Sequence, residues 1–155
     1  MNMRKVATCL WFDDKGEEAA RFYVSLLPDS EVTHVLRMMP DGQALLVEFT
    51  LLGTPYQALN GGPGITLTEA VSISVTTPDQ AETDRLWAAL IADGGSEIEC
   101  GWLRDRFGLC WQVVPEALPR LLADPDRAAA ERVMAAMQTM RKIDVAALET
   151  AFNGN

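Results

Sequence analysis

Histidine is almost missing from this chain of 155 residues, which contains only His34. Zinc sites commonly use two or more imidazoles, so one histidine excludes any site that needs two from the same chain. Cysteines are few, odd in number and without Cys-x-x-Cys spacing, which indicates neither a disulfide framework nor a zinc knuckle. We therefore expect a cytoplasmic protein with reduced thiols.

Basic residues are also scarce, since 13 Lys and Arg face 22 Asp and Glu, a formal net charge of −9. Phosphate groups of nucleic acids and anionic lipids are bound by clustered Lys and Arg, so we expect neither nucleic acid nor a membrane surface as a partner. No run approaches the roughly 20 apolar residues of a membrane helix. The N-terminal segment reaches acidic residues too soon to contain the apolar region of a signal peptide.

An internal repeat organises what is present. A strand over 7–12 and a helix with Phe22 are followed by three further strands, and the same order begins again at 71–76. Leu86 lies 64 positions after Phe22, and the same offset maps Glu48 onto Gln112.

The repeat predicts an α+β fold of two βαβββ modules, 1–64 and 65–115, which form one domain with a curled mixed sheet. A C-terminal helical extension is predicted over 116–155.

Four helix starts are predicted from local capping patterns. Asp14 is expected to cap the first helix and Thr77 the second. Asp124-Pro125 is expected to cap a helix over 125–141. At the start of the last helix, Ile143 and Leu148 are expected to form a hydrophobic staple around Asp144.

Glu48 is the most informative charged residue, because it stands in the middle of the apolar run ALLVEFTL. Ala44, Leu46, Glu48 and Thr50 share one face of the predicted strand. A carboxylate that points into a cavity would be a candidate general base, and Gln112 would face the same space. His34 has no carboxylate or thiol near it in the sequence, so we interpret it as solvent-facing or structural. The segment 60–64, NGGPG, lacks the Lys-Ser/Thr of a phosphate loop and is interpreted as a turn.

The strings CLWFDDKGEEAARFYVSLLPDS, VEFTLLGTPYQALNGGP, CGWLRDRFGLCWQVVP and AAMQTMRKIDVAALETAF resemble the PhnB-like branch of the vicinal oxygen chelate superfamily, which includes glyoxalases, bleomycin-resistance proteins and dioxygenases. The resemblance implies two βαβββ modules around a cleft, usually in a homodimer. Members of this branch are often labelled 3-demethylubiquinone-9 3-methyltransferase. The chain has no Gly-rich loop for S-adenosylmethionine, so we expect no methyltransferase activity.

Metal-dependent members of the superfamily take His or Gln, Glu, His and Glu as ligands. These positions fall on Ala7 or Thr8, on Glu48, on Ala70 (or the two residues after it) and on Gln112. One carboxylate and one amide hold a divalent metal poorly, so no metal site and no cofactor are predicted.

The resulting hypothesis is a protein that binds a small apolar or aromatic molecule in the cleft. Its expected ligand-binding residues are Cys9, Trp11, Glu48, Asn60, Trp102 and Gln112. One alternative is a metal-independent lyase or isomerase with Glu48 as its general base and Asn60 or Gln112 orienting the substrate. The other is a dimeric regulatory or structural module without a ligand.

Overall fold

The computed structural model describes residues 6–155. The chain divides into two compact units, Met1–Leu67 and Thr68–Asn155. Each unit contains one βαβββ module, which confirms the predicted fold class. Within residues 6–155, none of the helices has the length and apolar character that a membrane span requires.

The first unit is a four-stranded mixed sheet with one helix. Strands β1 and β4 are parallel neighbours, and the other pairs are antiparallel in the order β1-β4-β3-β2. The elements in chain order are β1 (Thr8–Phe12), α1 (Gly16–Leu26), β2 (Glu31–Arg37), β3 (Ala44–Leu51) and β4 (Thr54–Asn60).

Helix α1 covers one face of this sheet. A Cβ placed on Gly16 would lie 3.3 Å from the Cβ of Ala58, so Ala58 faces the helix. Val47 and Leu10 are the register partners of Ala58 on the neighbouring strands, and they are buried on the same face. Side chains alternate between the two faces of a strand, so the residues next to these three point away from α1.

The second unit repeats this topology, with sheet order β5-β8-β7-β6 and β5 parallel to β8, and adds three helices. Its elements are β5 (Ser72–Thr77), α2 (Gln80–Ile91), β6 (Ser96–Glu97), β7 (Trp102–Arg104), β8 (Cys110–Pro115), α3 (Ala117–Leu122), α4 (Arg127–Met137) and α5 (Val145–Asn153). Helix α3 lies within the predicted helical extension 116–155, although no separate helix start was predicted there.

The start of α1 differs from the local pattern. Lys15 occupies the N-cap position without a side-chain hydrogen bond, so the prediction that Asp14 caps this helix is wrong. The backbone N–H of Gly16 instead donates to Oδ1 of Asn60 at 2.7 Å. The cap therefore comes from the end of β4, a partner that is remote in sequence.

Two further caps lie two residues later than predicted. Asp79, and not Thr77, caps α2 by accepting from the backbone N–H of Glu82 at 2.8 Å. Thr77 is buried at the end of β5, where its hydroxyl is 2.6 Å from that of Thr83. Helix α4 is likewise capped by Asp126 and not by the Asp124-Pro125 pair. In both cases an aspartate nearer to the first helical turn accepts the capping hydrogen bond.

The 64-residue repeat holds for the first strand and helix of each module but fails for the later strands. Thr8 pairs with Tyr56, whereas Ser72, which is 64 positions after Thr8, pairs with Cys110. Strands β6 and β7 have only two and three residues, so the second module reaches its fourth strand sooner. Glu48 lies on the third strand of its module and Gln112 on the fourth, so their predicted equivalence is wrong.

The C-terminal helices form a separate apolar cluster within the second unit. Asp144 caps α5, as predicted, by accepting from the backbone N–H of Ala147 at 3.0 Å. Ile143 and Leu148 on either side of this cap are both fully buried, which agrees with the predicted staple. The buried members of the cluster are Leu118, Leu121, Val133, Ile143 and Leu148.

Hydrogen bonds join the segment before α5 to the rest of the second unit. The backbone N–H of Gly101 donates to the carbonyl of Arg141 at 2.7 Å. The side chain of Gln80 donates to the carbonyl of Ile143 at 3.1 Å and accepts from the backbone N–H of Val145 at 2.8 Å. The C-terminal helices are therefore an integral part of this unit.

We expect Ile143→Ala to lower the free energy of unfolding by about 2–5 kcal/mol, because it removes a fully buried side chain from the cluster. The matched control is Ile65→Ala, at a side chain that is 57% exposed, with an expected change of about 0.5 kcal/mol or less. Urea unfolding followed by circular dichroism measures both. Equal effects of the two substitutions would contradict the proposed role of the cluster.

Candidate functional site

Four polar side chains form a row across the first sheet, on the face opposite α1. His34 on β2 pairs with Glu48 on β3, Glu48 pairs with Gln57 on β4, and Gln57 pairs with Cys9 on β1. Register partners lie on the same face of a sheet, with Cβ atoms about 5 Å apart in antiparallel pairs. We call these four residues the polar row.

Glu48 is the central charge of the polar row. Its side chain is half-buried, and Oε1 accepts a hydrogen bond from Nε2 of Gln57 at 3.2 Å. His34 on its other side is exposed. This exposure agrees with the interpretation of His34 as solvent-facing, and the sheet register adds that Glu48 is its partner on the neighbouring strand. An imidazole beside a carboxylate can donate, accept and transfer protons.

Cys9 ends the polar row on β1. Desolvation raises the pKa of its thiol above the ordinary value, which favours the neutral thiol at physiological pH. A nucleophilic cysteine needs the opposite shift. Cys9 therefore contributes a weakly polar, neutral surface to this face.

An apolar row runs beside the polar row on the same face. Each of its members lies two residues from a member of the polar row on the same strand, which separates the two rows by about 7 Å. Trp11 pairs with Leu59, Leu59 with Leu46, and Leu46 with Leu36. Leu36 is 40% exposed. We call these four residues the apolar row.

The glycines after β4 hold the indole ring of Trp11. Its Nε1–H donates to the carbonyl of Gly62 at 2.9 Å. A Cβ on Gly61 would lie 2.3 Å from the indole ring, a distance that only glycine avoids. The turn predicted for this segment is thus also a seat for Trp11, whose polar atom is satisfied and whose aromatic ring supplies apolar surface.

Asn60 has both ends of its amide occupied within the first unit. Oδ1 accepts from Gly16, as described above, and Nδ2 donates to the carbonyl of Ala44 at 2.9 Å. These bonds join the start of α1 to β3 and β4. The contact of Asn60 with a ligand stays a prediction, whereas its hydrogen bonds to Gly16 and to the carbonyl of Ala44 are present in the structure.

The remaining predicted ligand-binding residues lie in the second unit, where Gln112 and Trp102 are register partners on β8 and β7. Nε2 of Gln112 donates to Oγ of Ser72 at 2.9 Å. Trp102 lines a cavity of about 300 Å³ together with Glu69, Ile98, Glu99 and Cys100.

The positions that the superfamily uses for metal ligands do not form a suitable donor set. Ala7 or Thr8, and Ala70 in the second module, offer no imidazole. Glu48 lies on the third strand of its module and Gln112 on the fourth, so these two positions are not equivalent in the fold. Within residues 6–155 there is no group of three or more His, Cys, Asp or Glu side chains that could hold a metal ion.

The fold defines the class of this protein. A glyoxalase/bleomycin resistance protein from Albidiferax ferrireducens has a TM-score of 0.50 at 15% identity and covers 71% of this chain and 96% of its own. The fosfomycin resistance protein FosX from Mesorhizobium loti has a TM-score of 0.57 at 12% identity, with coverages of 80% and 100%. The chain therefore has the fold of these glyoxalase/bleomycin-resistance and fosfomycin-resistance proteins.

Within this class, residues 4–114 match the model of the family described as 3-demethylubiquinone-9 3-methyltransferase, and the chain belongs to that family. A PhnB protein from Bacillus cereus that carries the same description is 29% identical, with a TM-score of 0.66, and covers 72% of this chain and 99% of its own. No protein of curated function gives a significant match.

Two members of the polar row were missed by sequence reasoning. His34 and Gln57 come close to Glu48 only through the pairing of β2, β3 and β4. Gln57 stands between Tyr56 and Ala58 in the middle of β4, and this polar residue between two less polar ones was the available signal. No local feature marks His34.

We expect Gly61→Ala to lower the free energy of unfolding by about 1–3 kcal/mol, because the new methyl group overlaps the indole ring. The same substitution in a Trp11→Ala background should cost clearly less, since the ring is gone. The wild-type protein, the two single variants and the double variant form a double-mutant cycle, which thermal unfolding measures. Additive effects would show that Gly61 is not selected by its contact with Trp11.

Asn60→Ala should destabilise the first unit by about 1–2 kcal/mol, since it removes the cap of α1 and leaves the carbonyl of Ala44 without its donor. Asn60→Asp keeps the acceptor for Gly16 and should lose less. Hydrogen exchange at the amide of Gly16, measured by NMR, should be faster in the alanine variant only. Fast exchange in both variants would contradict the capping role.

Proposed function

We propose that this protein binds a small apolar or aromatic molecule on the face of the first sheet opposite α1. The observation that carries the proposal is the parallel arrangement of the apolar and polar rows on that face. Ligand sites are typically apolar surfaces with a few polar groups that fix orientation. Here the apolar row supplies the apolar surface, and the polar row supplies the polar groups.

The two rows define how such a molecule lies. Trp11 offers its ring face, because its N–H is already bonded to Gly62. The body of the ligand lies along Trp11 and the leucines of the apolar row, and a hydrogen-bond donor about 7 Å away reaches Glu48. Glu48 is well suited to accept this bond, since a carboxylate oxygen accepts more than one hydrogen bond and Gln57 supplies one.

The charge of the protein limits the chemistry of the ligand. One carboxylate in the polar row and a chain with a formal net charge of −9 disfavour anions. A neutral aromatic molecule with one hydroxyl or amine group fits both rows. The family description names methyl transfer, and we do not extend that reaction to this chain, because the Gly-rich turn after β4 already serves to hold Trp11.

A second candidate function is proton transfer with Glu48 as general base and no metal. The pairing of Glu48 with His34 favours it, because an acceptor and a second proton-transfer group lie side by side. This function also requires the binding face, so binding is the property to test first.

We expect 2-naphthol to bind more tightly than 2-methoxynaphthalene, which lacks the hydroxyl donor. Glu48→Gln should weaken binding of 2-naphthol about fivefold and leave 2-methoxynaphthalene unchanged, because a hydrogen bond to a charged group is about 1 kcal/mol stronger than a neutral one. Isothermal titration calorimetry measures both ligands.

The matched control is Glu131→Gln, at an exposed position on α4 in the second unit, which should change neither affinity. Trp11→Ala should weaken both naphthalenes, because it removes apolar surface. Failure of both naphthalenes to bind the wild-type protein would overturn the proposal. Equal effects of the two glutamate substitutions would remove Glu48 from the site.

A further inference from the structure

A β-bulge in β2 determines which side chain opposes Glu48. Before the bulge, Val32 pairs with Phe49; after it, His34 pairs with Glu48, so Thr33 is the extra residue. A continuous register would have placed His34 opposite Val47. Val47 is fully buried on the face that α1 covers, so that pairing would direct the imidazole into the apolar core.

The bulge therefore transfers His34 from the α1 face to the face of the polar row, since a shift of one residue exchanges the two faces of a strand. Its geometry is held by Thr33, whose hydroxyl donates to the backbone carbonyl of Glu48 at 3.1 Å. Bulges are frequent beside active sites, where they redirect a side chain. The only histidine of the chain is thus brought opposite a carboxylate on the neighbouring strand.

The charged residues of β2 near this pair are Glu31, which pairs with Thr50 on the same face, and Arg37. Arg37, on the same strand as His34, is bound to both carboxylate oxygens of Glu17 at 2.7 and 2.8 Å. Gln57 is neutral and donates to Glu48. The carboxylate of Glu48 and the imidazole of His34 remain as a base and an acid on one surface.

We propose that His34 and Glu48 are an acid–base pair that enolises a small neutral ketone held by the apolar row. Glu48 takes a proton from the carbon next to the carbonyl, and the electron pair of the broken C–H bond forms the C=C bond. The carbonyl oxygen takes a proton from the His34 imidazolium and becomes the enol hydroxyl. Solvent exchange returns Glu48 to the carboxylate and His34 to the imidazolium, so no metal, oxidant or reductant is consumed.

This inference rests on the proposed binding function, and the probe 2-tetralone separates the two. The ketone has an aromatic body and acidic C–H bonds beside its carbonyl. In D₂O, enolisation replaces these hydrogens with deuterium, which ¹H NMR follows as a loss of signal. Binding of 2-tetralone is measured independently by titration calorimetry.

We expect the wild-type protein to accelerate deuterium incorporation above the rate in buffer. Glu48→Gln and His34→Gln should each lower the acceleration about 100-fold or more, because positioned acids and bases contribute about 10²–10⁴-fold. Thr33→Val, which removes the hydroxyl that holds the bulge, should lower the acceleration while 2-tetralone still binds. Glu131→Gln should have no effect, and circular dichroism checks that each variant is folded.

Three outcomes overturn the inference in different ways. If the wild-type protein binds 2-tetralone without accelerating exchange, the acid–base pair is rejected while the binding function stands. If acceleration survives in His34→Gln, His34 has no part in the proton transfer. If neither 2-tetralone nor 2-naphthol binds, the proposed function fails, and this inference fails with it.

Discussion

The first unit is organised by one constraint: a single helix covers only one of the two faces of its four-stranded sheet. Side chains alternate between faces, so the residues on either side of a core residue in β1, β3 and β4 are directed away from α1. The strands β1, β3 and β4 therefore carry two surfaces at once. Leu10, Val47 and Ala58 are buried against the helix, while their neighbours along the strands form the polar and apolar rows.

Much of this fold follows from the sequence because its signals are local. The run ALLVEFTL predicted β3 over 44–51, and the structure has Ala44–Leu51. The staple around Asp144 was also predicted correctly, since its members are five positions apart. Apolar alternation and capping patterns act over a few residues, which makes them readable without tertiary information.

Features that depend on register or on distant partners could not be predicted in the same way. The cap of α1 comes from Asn60, 44 positions after Gly16. The equivalence of Glu48 and Gln112 failed because strand lengths differ between the modules, so a constant offset does not follow the sheet. The pairing of His34 with Glu48 could not be predicted, because one extra residue in β2 decides the face of His34 and a bulge leaves no clear pattern in the sequence.

The bulge at Thr33 has a second consequence, which concerns self-association. Strand β2 is at the outer edge of its sheet, and a regular edge strand is a template on which another polypeptide can add by backbone hydrogen bonding. A bulge interrupts the even spacing of donors and acceptors and increases the local twist. The irregularity that turns His34 toward Glu48 therefore also makes this edge a poor seed for intermolecular sheet growth and aggregation.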